Sequence, residues 1–115
     1  MHTIRPAAVA GSFYSGHSQT LADTIRTLLN NVANIQPQVG SAGHSVPPKA
    51  IIVPHAGYIY SGQTAALAYA QLAKWRDSIK RVILLGPVHR VPVNGLALPE
   101  VDAFTTPLGE VKLDK

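Results

Sequence analysis

Lys49-Ala50-Ile51-Ile52-Val53-Pro54-His55-Ala56-Gly57 and, further on, Arg81-Val82-Ile83-Leu84-Leu85-Gly86-Pro87-Val88-His89 decide how the chain is read. Each is a short apolar run closed by a breaker-rich turn that carries a histidine. Runs of this length and uniform apolarity predict strands covered on both faces, as in a parallel sheet. Between them, from about Ser61 to Trp75, Ala65, Tyr69 and Leu72 share one helical face. Strand, helix and strand in this order form a βαβ unit, whose crossover is nearly always right-handed. The expected fold class is α/β: a mixed sheet with a parallel βαβ core and flanking helices.

Upstream, residues 4–14 form an apolar lead-in broken by Pro6 and Gly11, read as extended chain. Ser15 to Ser18 offer capping groups. From Gln19 the apolar positions Leu21, Ile25, Leu28, Leu29 and Val32 mark one face of a helix that should fade near Asn34. Residues 36–48 hold three prolines and two glycines and read as a surface loop. Downstream, residues 96–98 and 111–113 are expected as short strands around the turn-rich Thr105-Thr106-Pro107-Leu108-Gly109. Two wholly apolar parallel strands need neighbours and a helical layer on each face. The segment supplies two helices, so residues 1–115 read as a single partial α/β domain.

Composition points the same way. Charged residues make up 14% of the chain, against roughly a quarter in typical soluble proteins. A small domain leaves a large share of its surface in water, so low charge implies that part of this surface meets more protein. That partner is expected to be a missing carboxy-terminal half or an oligomer mate. The net charge is +4, but the basic residues are scattered, and the one cluster, Lys74, Arg76, Lys80 and Arg81, encloses Asp77. No basic stripe with interleaved aromatics is present, so nucleic acid is not an expected partner. No run approaches the ~20 apolar residues of a membrane span, and no signal-peptide pattern opens the chain. With no cysteine among 115 residues, a cytoplasmic address is expected.

The chemical signal is positional. Ligands in open α/β sheets bind at the carboxyl ends of strands, and adjacent strands lie about 4.8 Å apart. His55 and His89, each just past such a strand, can direct their imidazoles at one atom. Imidazole is a common ligand of first-row metals, and it serves equally as a general base or an anion donor. Gly57 and Gly62 bracket Tyr58 and Tyr60, and this turn either places a hydroxyl over the same crevice or leaves the tyrosines in ordinary packing. His2, His17 and His44 have no matched partner and read as bystanders. The acidic residues Glu100, Asp102, Glu110 and Asp114 offer nothing that singles one out. Phosphate-binding glycine loops, a Gly-x-Ser-x-Gly turn and a His-Glu-x-x-His helix are all missing.

Four stretches in order carry a resemblance: residues 6–14 (Pro-Ala-Ala-Val-Ala-Gly-Ser-Phe-Tyr), 53–62 (Val-Pro-His-Ala-Gly-Tyr-Ile-Tyr-Ser-Gly), 84–89 (Leu-Leu-Gly-Pro-Val-His) and 105–109 (Thr-Thr-Pro-Leu-Gly). Together they resemble the Memo family, whose microbial members are called the B protein of the AmmeMemoRadiSam system. The resemblance implies a fold like that of the extradiol dioxygenases, of which this chain is the amino-terminal part. It implies His55 and His89 as two metal ligands. Phe13 and Tyr60 would line the pocket, with Phe13 in place of the tryptophan of some relatives. The metal would be a non-haem iron, or copper. The third ligand would come from a later half. Two positions depart from the pattern: the family often has Gly-Pro-Ser-His-His, and here Val88 and Arg90 flank His89.

Two functions follow as expectations. The complete protein is a metal-binding, dioxygenase-related redox protein, with this segment inactive by itself. Alternatively, the same pocket of His55, His89, Phe13, Tyr58 and Tyr60 is a non-catalytic module for a peptide or an anion.

Overall fold

The computed structural model describes residues 1–39 and 46–114. His44 and residues 40–45 of the expected loop lie outside the described residues.

The first helix, α1 (Ser18–Val39), starts where the capping signal places it and runs past Asn34. Its entry is shaped by the Ser15 hydroxyl, which accepts the His17 amide at 3.2 Å. The apolar stripe faces inward at Leu21 and Val32, each 3% exposed, while Leu29 stays at the surface. The second helix, α2 (Tyr58–Tyr69), begins three residues before the expected Ser61 and passes into a 3₁₀ helix (Ala70–Trp75). The two long helices pack closely at Gly62, where a Cβ atom would lie 3.0 Å from Leu28 Cδ1. Gln63 Nε2 secures the contact by donating to the Leu28 carbonyl at 3.2 Å.

The sheet has three strands in the order β1 (Ile4–Arg5), β2 (Ala103–Thr106), β3 (Gly109–Lys112). β1 pairs parallel to β2, with Ile4 opposite Ala103 and Arg5 opposite Phe104. β2 and β3 form an antiparallel hairpin with Thr106 opposite Gly109. Ala103 is fully buried, and the Arg5 guanidinium lies 5.3 Å from the centre of the Phe104 ring. The α/β class and the mixed sheet therefore stand, as does a strand near 111–113.

The parallel pairing falls elsewhere than expected. It joins β1 to β2, with both helices between them in sequence, rather than residues 49–53 to residues 81–85. Among the described residues those two runs form neither helix nor ladder, and residues 96–98 form no strand. The physical reason lies in their faces. Val82, Ile83, Leu84 and Leu85 are at least 75% exposed, and a wholly apolar strand is stable in a ladder only when both faces are covered. Gly57 caps the start of α2 with φ −56°, a conformation open to any residue. Among the described residues the glycines with positive φ are Gly11, Gly95 and Gly109.

Candidate functional site

Local hydrogen bonding sets the site's scaffold. The lead-in closes on itself, with Gly11 N donating to Tyr14 O at 2.8 Å and Phe13 N donating to Val9 O at 2.9 Å. Gly11 takes φ +84° to make this turn. The turn is fastened to the start of α2, because Tyr58 N donates to Phe13 O at 2.8 Å. Ser61 Oγ donates back to the Ala56 carbonyl at 3.1 Å and fixes the bend that carries His55 into the helix.

These bonds bring two of the expected residues, Phe13 and Tyr60, to the same glycine. A Cβ on Gly57 would lie 3.6 Å from Phe13 Cα and 3.8 Å from Tyr60 Cδ2, in ordinary contact with both. Phe13 is 45% and Tyr60 85% exposed, so both present apolar surface to solvent. Tyr58 turns to packing instead, its ring centre 5.5 Å from that of Tyr14 at a tilt of 48°. Burial pushes its phenol above the ordinary value, and Tyr14 and then Tyr69 add to the shift.

His55 and His89 also come together, although their strands do not pair. The ring centres lie 5.4 Å apart with planes inclined at 46°. Two imidazoles that bind one tetrahedral ion at about 2.0–2.1 Å have ring centres roughly 5.2 Å apart. The separation is near that tetrahedral value and longer than the roughly 4.6 Å of two ligands at the right angle of an octahedral iron, and it equally fits a tilted ring–ring contact. Among the described residues no group of three His, Cys, Asp or Glu side chains is placed to hold an ion. Nor does either imidazole have an acceptor on its other nitrogen among the described residues, an arrangement that would normally orient a metal-bound histidine.

The other histidines separate. His17 Nδ1 lies 3.4 Å from Thr20 Oγ1 at the start of α1. His2 stays apart from the pair and has contacts of its own: Nε2 lies 3.2 Å from Glu110 Oε1 and Nδ1 3.7 Å from Asp102 Oδ2. That cluster ties the chain's start to the hairpin, and nothing local in the sequence announces it. A groove of about 480 Å³ between α1 and the 3₁₀ helix, lined by Leu29, Tyr69, Leu72, Arg76 and Ile79 among others, takes in none of the expected site residues.

With this geometry in view, the comparisons with known proteins are decisive on family. The Memo-like protein family matches residues 5–115. The chain belongs to the Memo family. It is 38% identical over 113 residues to Protein memo-1 homolog of Caenorhabditis elegans, covering 98% of this chain and 29% of that one. It is 36% identical over 111 residues to Protein MEMO1 of Homo sapiens, covering 96% and 34%. MEMO1 family protein MHO1 of Saccharomyces cerevisiae is 40% identical over 115 residues, covering 97% and 31%. The chain thus spans about a third of the length of these Memo relatives. Among the described residues no helix is long and apolar enough to cross a membrane.

Proposed function

We propose that the complete protein is a metal-binding, dioxygenase-related redox protein that holds iron or copper on His55 and His89. The observation that carries this reading is the 5.4 Å separation of the two rings. Such a metal, when bound, supplies redox chemistry and open positions for oxygen and substrate. The chain's own part is to hold and orient. His55 and His89 donate two nitrogens, Phe13 and Tyr60 form an apolar wall, and the bond from Tyr58 N to Phe13 O keeps that wall beside the bend. A further ligand comes from polypeptide beyond these residues, and a cytoplasmic address belongs to the same proposal.

The test is metal content in the protein expressed at the length of its relatives. The His55→Ala and His89→Ala variants should each lose bound iron or copper while melting within a few degrees of the parent. Unchanged metal content in both variants sinks the reading.

One observation favours a second reading, a non-catalytic anion- or peptide-binding pocket. Arg90 directly follows His89, is exposed, and makes no ion pair among the described residues. Titration with inorganic phosphate in the presence of chelator separates the two. Shifts of the His55 and His89 proton resonances that vanish in Arg90→Gln support the pocket without metal.

A further inference from the structure

Asn94 and Gly95 lie in the exposed segment between His89 and β2, and the chain bends at both. Gly95 takes φ +81°, and a Cβ built there would meet nothing within 4 Å. Among the described residues neither the Asn94 side chain nor the Gly95 amide makes a hydrogen bond. The carboxamide and the amide nitrogen that follows it are thus unbonded and uncrowded. The other three asparagines differ. Asn30, Asn31 and Asn34 all lie within α1, where the next residue's amide is committed to a helical hydrogen bond. Two of them precede the β-branched Val32 and Ile35, whose stiff side chains crowd any ring closure.

We propose that Asn94 is a self-modification site, converting to aspartate and isoaspartate by spontaneous loss of ammonia. Asparagine is chemically the labile member of the pair, and glycine leaves the attacking nitrogen unhindered and its backbone free to turn. The Gly95 nitrogen gives up its proton to water and attacks Asn94 Cγ. A C–N bond forms, the bond from Cγ to Nδ2 breaks, and ammonia leaves after taking a proton back. The product is a five-membered succinimide. Water then opens the ring. Cleavage between the nitrogen and Cγ yields aspartate, whereas cleavage between the nitrogen and the α-carbonyl carbon yields isoaspartate. One water is consumed and one ammonia released, with no change of oxidation state.

The consequence is electrostatic. Leaving His89 aside, Arg90 is the only charged residue across 82–99. Conversion places a carboxylate four positions after it and lowers the formal net charge of +4 by one. The segment that follows His89 thereby loses its net positive charge. In the isoaspartyl form its main chain also runs through Cβ and Cγ of the converted residue. The reaction needs neither metal nor ligand, so it stands apart from the functional reading.

Peptide mapping tests it on the protein expressed at the length of its relatives. Samples are aged at physiological temperature, quenched in acid and digested with an acid-active protease. Peptides that contain Asn94 should gain one mass unit with time and divide into two chromatographic forms. The synthetic octapeptide of residues 91–98 should convert no more than about tenfold faster, because a segment outside cooperative structure opens at little cost. Peptides that contain Asn30, Asn31 and Asn34 should stay unchanged over the same time. The mass gain should vanish in Asn94→Gln, whose longer side chain closes a ring slowly. Conversion of Asn94 slower than that tenfold limit, or helical asparagines that convert as fast as Asn94, would each overturn the proposal.

Discussion

Thr3 and Asp102 are joined by three hydrogen bonds. Asp102 Oδ2 accepts from Thr3 N at 2.7 Å and Thr3 Oγ1 at 3.0 Å, and Asp102 N donates to Thr3 O at 2.8 Å. The carboxylate thus completes the parallel pairing that two residues of β1 make with β2. Asp102→Ala should cost about 1.5–3 kcal/mol, the range for hydrogen bonds to a charged group. The loss should appear first as faster amide exchange at Ile4 and Arg5. Unaltered exchange there would show that β1 holds without the carboxylate.

Gly62 marks the closest approach of α1 and α2. A Cβ there meets Leu28 Cδ1 at 3.0 Å and Tyr58 Cβ at 3.5 Å. Gly62→Leu should lower stability by about 1–3 kcal/mol, as overpacking of a filled contact does. Urea unfolding gives the measurement. A variant as stable as the parent would mean the helices separate without cost.

Tyr58 supplies a pH dependence. Burial raises the folded-state pKa of its phenol, with Tyr14 and Tyr69 contributing after it. The neutral phenol is therefore the form the fold favours. This contribution is complete below the ordinary phenol value of about 10 and is lost as pH rises through the folded value. Wild type should weaken relative to Tyr58→Phe between about pH 9 and pH 11. Thermal melts of the two proteins across that range decide it, and a constant difference would refute the burial argument.

Gly109 sits at φ +131° where β3 leaves the turn, and its carbonyl accepts from Thr106 Oγ1 at 3.0 Å. A Cβ would meet nothing within 4 Å, so any cost of substitution is conformational. Gly109→Ala should destabilise by about 1–2 kcal/mol through backbone strain alone. If thermal unfolding shows no loss, the turn adopts another conformation freely.

The helices were the most legible part of the sequence because their signal is local. The spacing of Leu21, Ile25, Leu28 and Val32 is enough to define a buried stripe. The apolar runs ending in His55 and His89 were legible as the segments that bring two imidazoles together. Their pairing was not, because a ladder is a relation among segments and depends on what covers both faces. β1 was opaque for a related reason: two residues carry no periodicity, and their partner is remote. The link between Asp102 and His2 was not legible, since an acid and a terminal histidine have no recognisable spacing until the sheet joins them.

The tie between Thr3 and Asp102 spans 99 positions, and this has a consequence during synthesis. A ribosome adding about 5–20 residues per second needs some 5–20 s to make the partner of the first strand. α1 and α2 emerge meanwhile and can meet through Gly62 and Leu28. The first strand to leave the ribosome is thus among the last to be paired.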